Sequence, residues 1–287
     1  MNRLSLLGLS NSSQGNSPSS SPTASQAAPP TSLLKMHRDE SPASLLATSG
    51  SAWTPAAKIV RPRAFFVPTR YTATYRYPLI VWLHNDGYNE SQISQVAPHI
   101  STQNYVGVGI RGSQAIDQAG KRFAWSESSA AVSRCEDAVW QAIDDAGDRY
   151  NIHGERIFIA GYGAGATMAR RIAMRRSRQF AGCIALGGRM PRGGSVMSDL
   201  AGVRNLRNFW ALAIDGDQVA SCDFDDDIRL AADARMKIDV RQYTTDDVMV
   251  KEVLSDVNHW VMQIVTGTPT PPPADAWSSV PVGFSAN

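Results

Sequence analysis

Five residues, Gly161-Tyr162-Gly163-Ala164-Gly165, carry the backbone pattern of a reactive centre without its reactive side chain. The apolar run Arg156-Ile157-Phe158-Ile159-Ala160 before them reads as a buried strand, and Ala166 to Arg178 after them as a helix. In the pattern G-x-S-x-G, a sharp strand-to-helix turn lifts the central serine clear of the chain. Its Oγ, activated by a histidine, then attacks a carbonyl and forms an acyl-enzyme. The central position here is Gly163, which has no atom to attack with. The neighbours do not replace it. Tyr162 sits where the turn does not present a side chain, Thr167 lies about one helical turn further on, and Cys183 belongs to another strand. Loss of such a nucleophile costs about 10⁶-fold in turnover, or roughly 8 kcal/mol of barrier. The expectation is a turn kept for its shape, with Gly163 as a permissive residue within it.

Other residue patterns point to different chemistry. Gly161 to Ala166 also satisfies G-x-G-x-x-[G/A] between a strand and a helix, which is the dinucleotide fingerprint with a pyrophosphate at the helix N-terminus. Arg189 would then be available for a 2′-phosphate. Against this reading, the next strand ends in Leu186-Gly187-Gly188-Arg189 with no acidic residue, and the motif follows two or more strands instead of the first. Arg170, Arg171, Arg175, Arg176 and Arg178 crowd the helix after the turn, where cations complement the C-terminal dipole. The expectation for them is a solvated basic face. His84, Asp86 and His99 make no recognisable metal site, and no metal or cofactor is expected.

The elements that must hold these residues alternate between strand and helix. Lys58 to Val67, interrupted by Pro62, suggests an edge strand. Leu79 to Leu83 is continuously apolar, as a strand covered on both faces should be. Glu90 to Ile100 reads as a helix, with Pro98 against its last turn, and Tyr105 to Ile110 as a strand. Val132, Cys135, Val139, Ile143 and Ala146 recur at helical spacing over Ser129 to Tyr150. Beyond the turn, strands are expected at Gly182 to Leu186, Phe209 to Ile214 and Val240 to Thr244, with helices at Asp225 to Met236 and Asn258 to Val265. Such alternation implies an α/β fold, a mainly parallel sheet with helices on both faces and a site at the carboxyl ends of its strands.

Composition bounds the rest. The chain has 287 residues and a net charge of +2, so charge gives no case for nucleic acid or a membrane surface. No apolar run is long enough to span a bilayer. Met1 to Leu9 loosely resembles a leader, but its apolar part is short and no cleavage site follows. Three cysteines, Cys135, Cys183 and Cys222, at unrelated spacings fit free thiols in a reducing, cytoplasmic setting. Residues 1–55 are rich in Ser, Pro and Ala and read as a disordered tail, 56–267 as one domain, and 268–287 as a Pro-rich tail.

Several segments together carry a resemblance. Tyr77 to His84 resembles the strand that enters an oxyanion loop, and Arg122-Phe123-Ala124-Trp125 an A-W segment; the glycine-rich turn and Asn258-His259-Trp260 follow in order. In these features, over about residues 60 to 267, the chain resembles the α/β-hydrolase superfamily, in its small carboxylesterase/phospholipase branch. The resemblance implies that Ala164 supplies one backbone N–H of an oxyanion hole and that the loop His84-Asn85-Asp86-Gly87-Tyr88-Asn89 supplies the other. That family commonly has His-Gly here, so Asn85 replaces a glycine, and a carboxylate such as Asp86 aimed at an oxyanion would oppose it. It also implies His259 as the histidine, at the opening of the last helix, and Asp217 as the acid, with Asp215, Asp223 and Asp225 as rivals. The residues alone also read His259 as only a helix-start residue, with Asp256 as the nearby N-cap. The expectation is a hydrolase-like protein without serine-esterase activity that takes a small ester-like or acyl ligand. The alternatives are ester hydrolysis by a His259-activated water and dinucleotide binding.

Overall fold

A computed structural model describes residues 62–193, 200–214 and 222–267. The two tails, and with them Asp215 and Asp217, lie outside the described residues. The strands are β1 (Arg63–Phe66), β2 (Tyr77–Leu83), β3 (Val106–Ile110), β4 (Gln114–Ala115), β5 (Phe123–Ala124), β6 (Ile152–Tyr162), β7 (Gly182–Leu186), β8 (Arg207–Ala213) and β9 (Lys237–Tyr243). The helices are α1 (Gln92–Ile100), α2 (Ser129–Arg149), α3 (Ala164–Arg175), α4 (Cys222–Asp233) and α5 (Lys251–Thr266).

Seven strands form one sheet in the order β1-β3-β2-β6-β7-β8-β9. Only β1 runs antiparallel, at the edge where Pro62 had suggested it. The β2 strand shows how the sheet is covered. Leu79, Val81 and Leu83 join Val139, Met168 and Ile172 of α2 and α3. Ile80 and Trp82 face the other way, with Ile93 and Val96 of α1 and Val257 and Val261 of α5. The period of two sends alternate side chains to opposite faces, so a fully apolar strand needs helices on both.

This frame sets the carboxyl ends of β2, β6, β7, β8 and β9 along one rim. The β2 end passes into His84-Asn85, and the β6 end into Gly163 and α3. Gly165, on the first turn of α3, lies so close to β2 that a side chain would strike the carbonyls of Leu83 and His84. The start of α3 is thereby pressed directly onto the loop that carries Asn85.

One boundary differs from expectation and bears on function. The last helix opens at Lys251, with Val250 as N-cap, two turns ahead of Asn258. Val253, Leu254, Val257, Trp260, Val261 and Val265 are buried along it at helical spacing. Asp256 is therefore inside the helix and caps nothing. It accepts hydrogen bonds from the Tyr243 hydroxyl (2.6 Å) and from Arg241 Nη1 (2.9 Å).

Candidate functional site

Gly163 stands at the N-cap of α3 with φ +54° and ψ −120°, the left-handed side of backbone space that favours glycine. Its N–H donates to the Leu186 carbonyl (2.9 Å), which pins the turn to β7. The space in front of it is filled. A Cβ at position 163 would lie 2.6 Å from Asn85 Cγ and 2.9 Å from its Nδ2, with Oδ1 nearer still. The same Oδ1 accepts the hydrogen bond of the Ala164 N–H at 3.0 Å. One carboxamide thus takes both the volume of a side chain at position 163 and the Ala164 N–H, the donor that the resemblance assigns to an oxyanion hole. Its oxygen sits on that N–H as a substrate carbonyl would.

Asn85 is held there from behind. His84 is fully buried, its Nε2 receives the Gly112 N–H (2.9 Å), and its Nδ1 lies 2.7 Å from the Asn85 carbonyl oxygen. A backbone N–H can only donate, so Nε2 is the acceptor and Nδ1 carries the proton. The ring is neutral, and burial holds its pKa below the ordinary value despite the opposing pull of the Asn85 carbonyl, Glu90 and Asp86. Trp125 covers it with ring centroids 4.9 Å apart and donates its Nε1–H to the His84 carbonyl (2.7 Å). Because the folded state binds this proton less readily than the unfolded chain, His84 contributes stability that is fully present above about pH 6.5 and is lost as pH falls below it toward the lower folded-state pKa. Urea midpoints should therefore drop between about pH 7 and pH 5.5, and His84→Gln should flatten that slope.

Asp86 is exposed and accepts from the Trp125 N–H (3.2 Å), while the Ala164 N–H is bonded to Asn85. With Gly163, Ala164 and Trp125 it lines a cavity of about 370 Å³. A second cavity of about 370 Å³ lies on the other side of Gly163, against Tyr162 and Asp247. There the Tyr162 hydroxyl donates to Asp247 Oδ2 (2.6 Å), and burial first, then this bond, raises the phenol's pKa.

The structure does not bring His259 to this rim. It is exposed, on the ninth residue of α5. Its neighbour Asn258 accepts from Asn104 Nδ2 (3.0 Å) and the Tyr105 hydroxyl (2.5 Å), just ahead of β3. On the other side, the Trp260 ring packs where Gly182 opens β7, so close that a Cβ there would meet it at 2.6 Å. Both contacts lie at the amino ends of the strands, and the length of β7 alone separates them from the elbow rim by about 13 Å. The segment between the last strand and the last helix, 244–250, carries Asp246 and Asp247 and no histidine. Asp223 is in α4 with its side chain outside the described residues, and Asp225 is exposed on the same helix.

The chain matches the family model of esterase PHB depolymerases over residues 62–230. It belongs to the esterase PHB depolymerase family. Among solved structures this family member is similar in fold to the carboxylesterase of Bacillus cereus, at 14% identity and a TM-score of 0.54, covering 72% of this chain and 95% of that one. A carboxylesterase from Mesorhizobium loti gives 14% and 0.53 over 64% and 88% of the two chains. The structure of YahD with malic acid gives 15% and 0.53 over 71% and 100%. No curated protein matches the chain.

Within that family scaffold, two features of α3 went unread in the sequence. Arg170 and Arg171 are not a solvated face but are buried, at 2% and 8% exposed. Arg170 lies over the Trp210 ring (4.3 Å) and donates to the Gly188 carbonyl (3.0 Å). Arg175 and Arg176 pair with the buried Glu136 of α2 (3.4 and 2.5 Å), which leaves Arg178 exposed beyond the helix. The dinucleotide reading also loses its footing. The Ala164 N–H that would face a pyrophosphate already serves Asn85, and Gly165 is used for packing against β2. Among the described residues no helix is long and apolar enough to cross a membrane, and no three His, Cys, Asp or Glu side chains cluster as metal ligands would.

Proposed function

We propose that this chain uses the esterase scaffold to bind a small acyl-type ligand and does not hydrolyse esters by acyl transfer. The observation that carries this reading is the Asn85 carboxamide, seated in the space of a side chain at position 163 and bonded to the Ala164 N–H. Acyl transfer needs an attacking atom and a free donor at the place where charge develops. Gly163 supplies no atom, and Asn85 occupies the donor. Asp217 and His259, the other members that the resemblance implies, do not strengthen an active reading. Asp217 lies outside the described residues, and His259 follows Asn258, whose partners are Asn104 and Tyr105 just ahead of β3.

The test is turnover of an activated short-chain ester by the purified protein and by His259→Ala. Both should hydrolyse it at the background rate of buffer. Turnover by the wild-type protein that disappears in His259→Ala would revive the activated-water mechanism and overturn the proposal.

A further inference from the structure

The cavity of about 370 Å³ beside Gly163 is walled on one side by a single stripe of α3: Ala164, Thr167, Met168 and Arg171. These fall at i, i+3, i+4 and i+7, one face of a helix. The stripe begins at the elbow and ends on a guanidinium. Arg171 is 8% exposed, and its Nε has no partner. Its Nη2 donates to Glu127 Oε2 (2.9 Å) and to the Arg192 carbonyl (3.3 Å).

Nε and Nη2 form one edge of a guanidinium, the edge that grips a carboxylate with two parallel bonds. The same molecule shows that grip filled elsewhere: Arg111 holds both oxygens of Glu90 through its Nε and Nη2. At Arg171 the edge is half used. Glu127 reaches only Nη2, and with 65% of its side chain exposed it is a weakly held partner. A buried N–H without an acceptor costs free energy that a ligand oxygen would recover.

We infer that the cavity takes a small aliphatic carboxylate, gripped by the Nε/Nη2 edge of Arg171 in place of Glu127. The inference rests on the reading above, that the site binds and does not turn over. Thr167 Oγ1 already accepts the Arg189 N–H (3.0 Å), which leaves its own proton to donate to the second face of the carboxylate. Met168, Met190 and Trp125 line the remaining wall and receive the apolar tail. The Ala164, Ala166 and Thr167 N–H groups at the helix start are already used, the first by Asn85 and the other two by the Gly163 carbonyl. Glu127 acts as the competitor that the ligand displaces.

Titration calorimetry of the whole protein with sodium hexanoate, hexanamide and inorganic phosphate tests this. Saturable binding of hexanoate is expected, with neither hexanamide nor phosphate matching it. Arg171→Gln should weaken hexanoate by about ten- to hundredfold, and Arg178→Gln, on the exposed end beyond α3, should not. Glu127→Gln replaces the competing carboxylate on this exposed side chain with a neutral, weaker acceptor and should tighten hexanoate severalfold, which no merely structural role of Arg171 predicts. No saturable hexanoate binding at millimolar concentration overturns the inference. So does equal binding of hexanamide, preferred binding of phosphate, or an affinity unmoved by Glu127→Gln. These failures are separable from those of the sealed elbow: ester turnover would sink that reading, and absent hexanoate binding would sink only this one.

Discussion

Gly163→Ser is expected to destabilise the protein by about 2–6 kcal/mol and to restore no esterase activity. Two costs add. The backbone at φ +54° is unfavourable for any residue with a Cβ, which costs about 1–3 kcal/mol. The new side chain also falls onto the Asn85 carboxamide, and overpacking of this kind costs about 1–3 kcal/mol. The second part belongs to a pair. In Gly163→Ser/Asn85→Gly that overpacking disappears, and the double variant should recover about 1–3 kcal/mol relative to Gly163→Ser. Guanidinium midpoints of the two single variants and the double variant read the coupling. Strict additivity would mean that Asn85 and position 163 do not share one space. Activity should remain absent even in the double variant, because the segment 244–250 carries no histidine and His259 lies near residues at the amino ends of the strands.

Asp227→Ala is the second large effect, an expected loss of about 3–5 kcal/mol. Asp227 is 2% exposed on α4 and accepts from the Met190 N–H (2.6 Å) and from Arg192 Nη2 (2.8 Å). It is also the carboxylate whose charge supports Arg170, buried at 2% exposure with Nε and Nη2 unpartnered. Burial pushes the Arg170 pKa down to about 10, so its charge is kept at a cost. Removing Asp227 strips the Met190 amide of its acceptor and leaves that buried cation without its nearby anion. Thermal or denaturant unfolding measures the loss. Asp227→Asn should lose less, because the amide oxygen still accepts from Met190. If Asp227→Ala unfolds like the wild-type protein, the network does not hold the wall between α3 and α4.

The sheet was legible because its strands are buried on both faces, and a run such as Tyr77 to Leu83 admits no other reading at that length. The elbow was legible for a similar reason: glycines at 161 and 165 are forced by close packing, which leaves a mark in the sequence whatever stands at 163. The local pattern Asn-His-Trp starts the last helix too late. The burial period of Val253, Leu254, Val257 and Trp260 was present in the sequence and would have started α5 at Lys251, with His259 on its outer side. Both halves of the Asn85–Gly163 pair were visible as departures, a glycine gained at the turn and a glycine lost in the loop. Their complementarity was not, because only the fold shows that the two positions share one volume. The sequence leaves Arg171 on the surface because a run of arginines says nothing about which of them face inward; its acceptor Glu127, and Glu136 that pairs with Arg175 and Arg176, lie more than thirty positions away in the chain.

The central claim is that the Asn85 carboxamide has taken the place of an acyl-transfer centre. Intact-mass spectrometry of the protein after incubation with an alkyl fluorophosphonate, which traps an activated nucleophile beside an oxyanion hole, tests it most directly. The unmodified mass is the predicted result. One adduct per chain, mapped to the elbow or to a residue lining the Gly163 cavities, would contradict it.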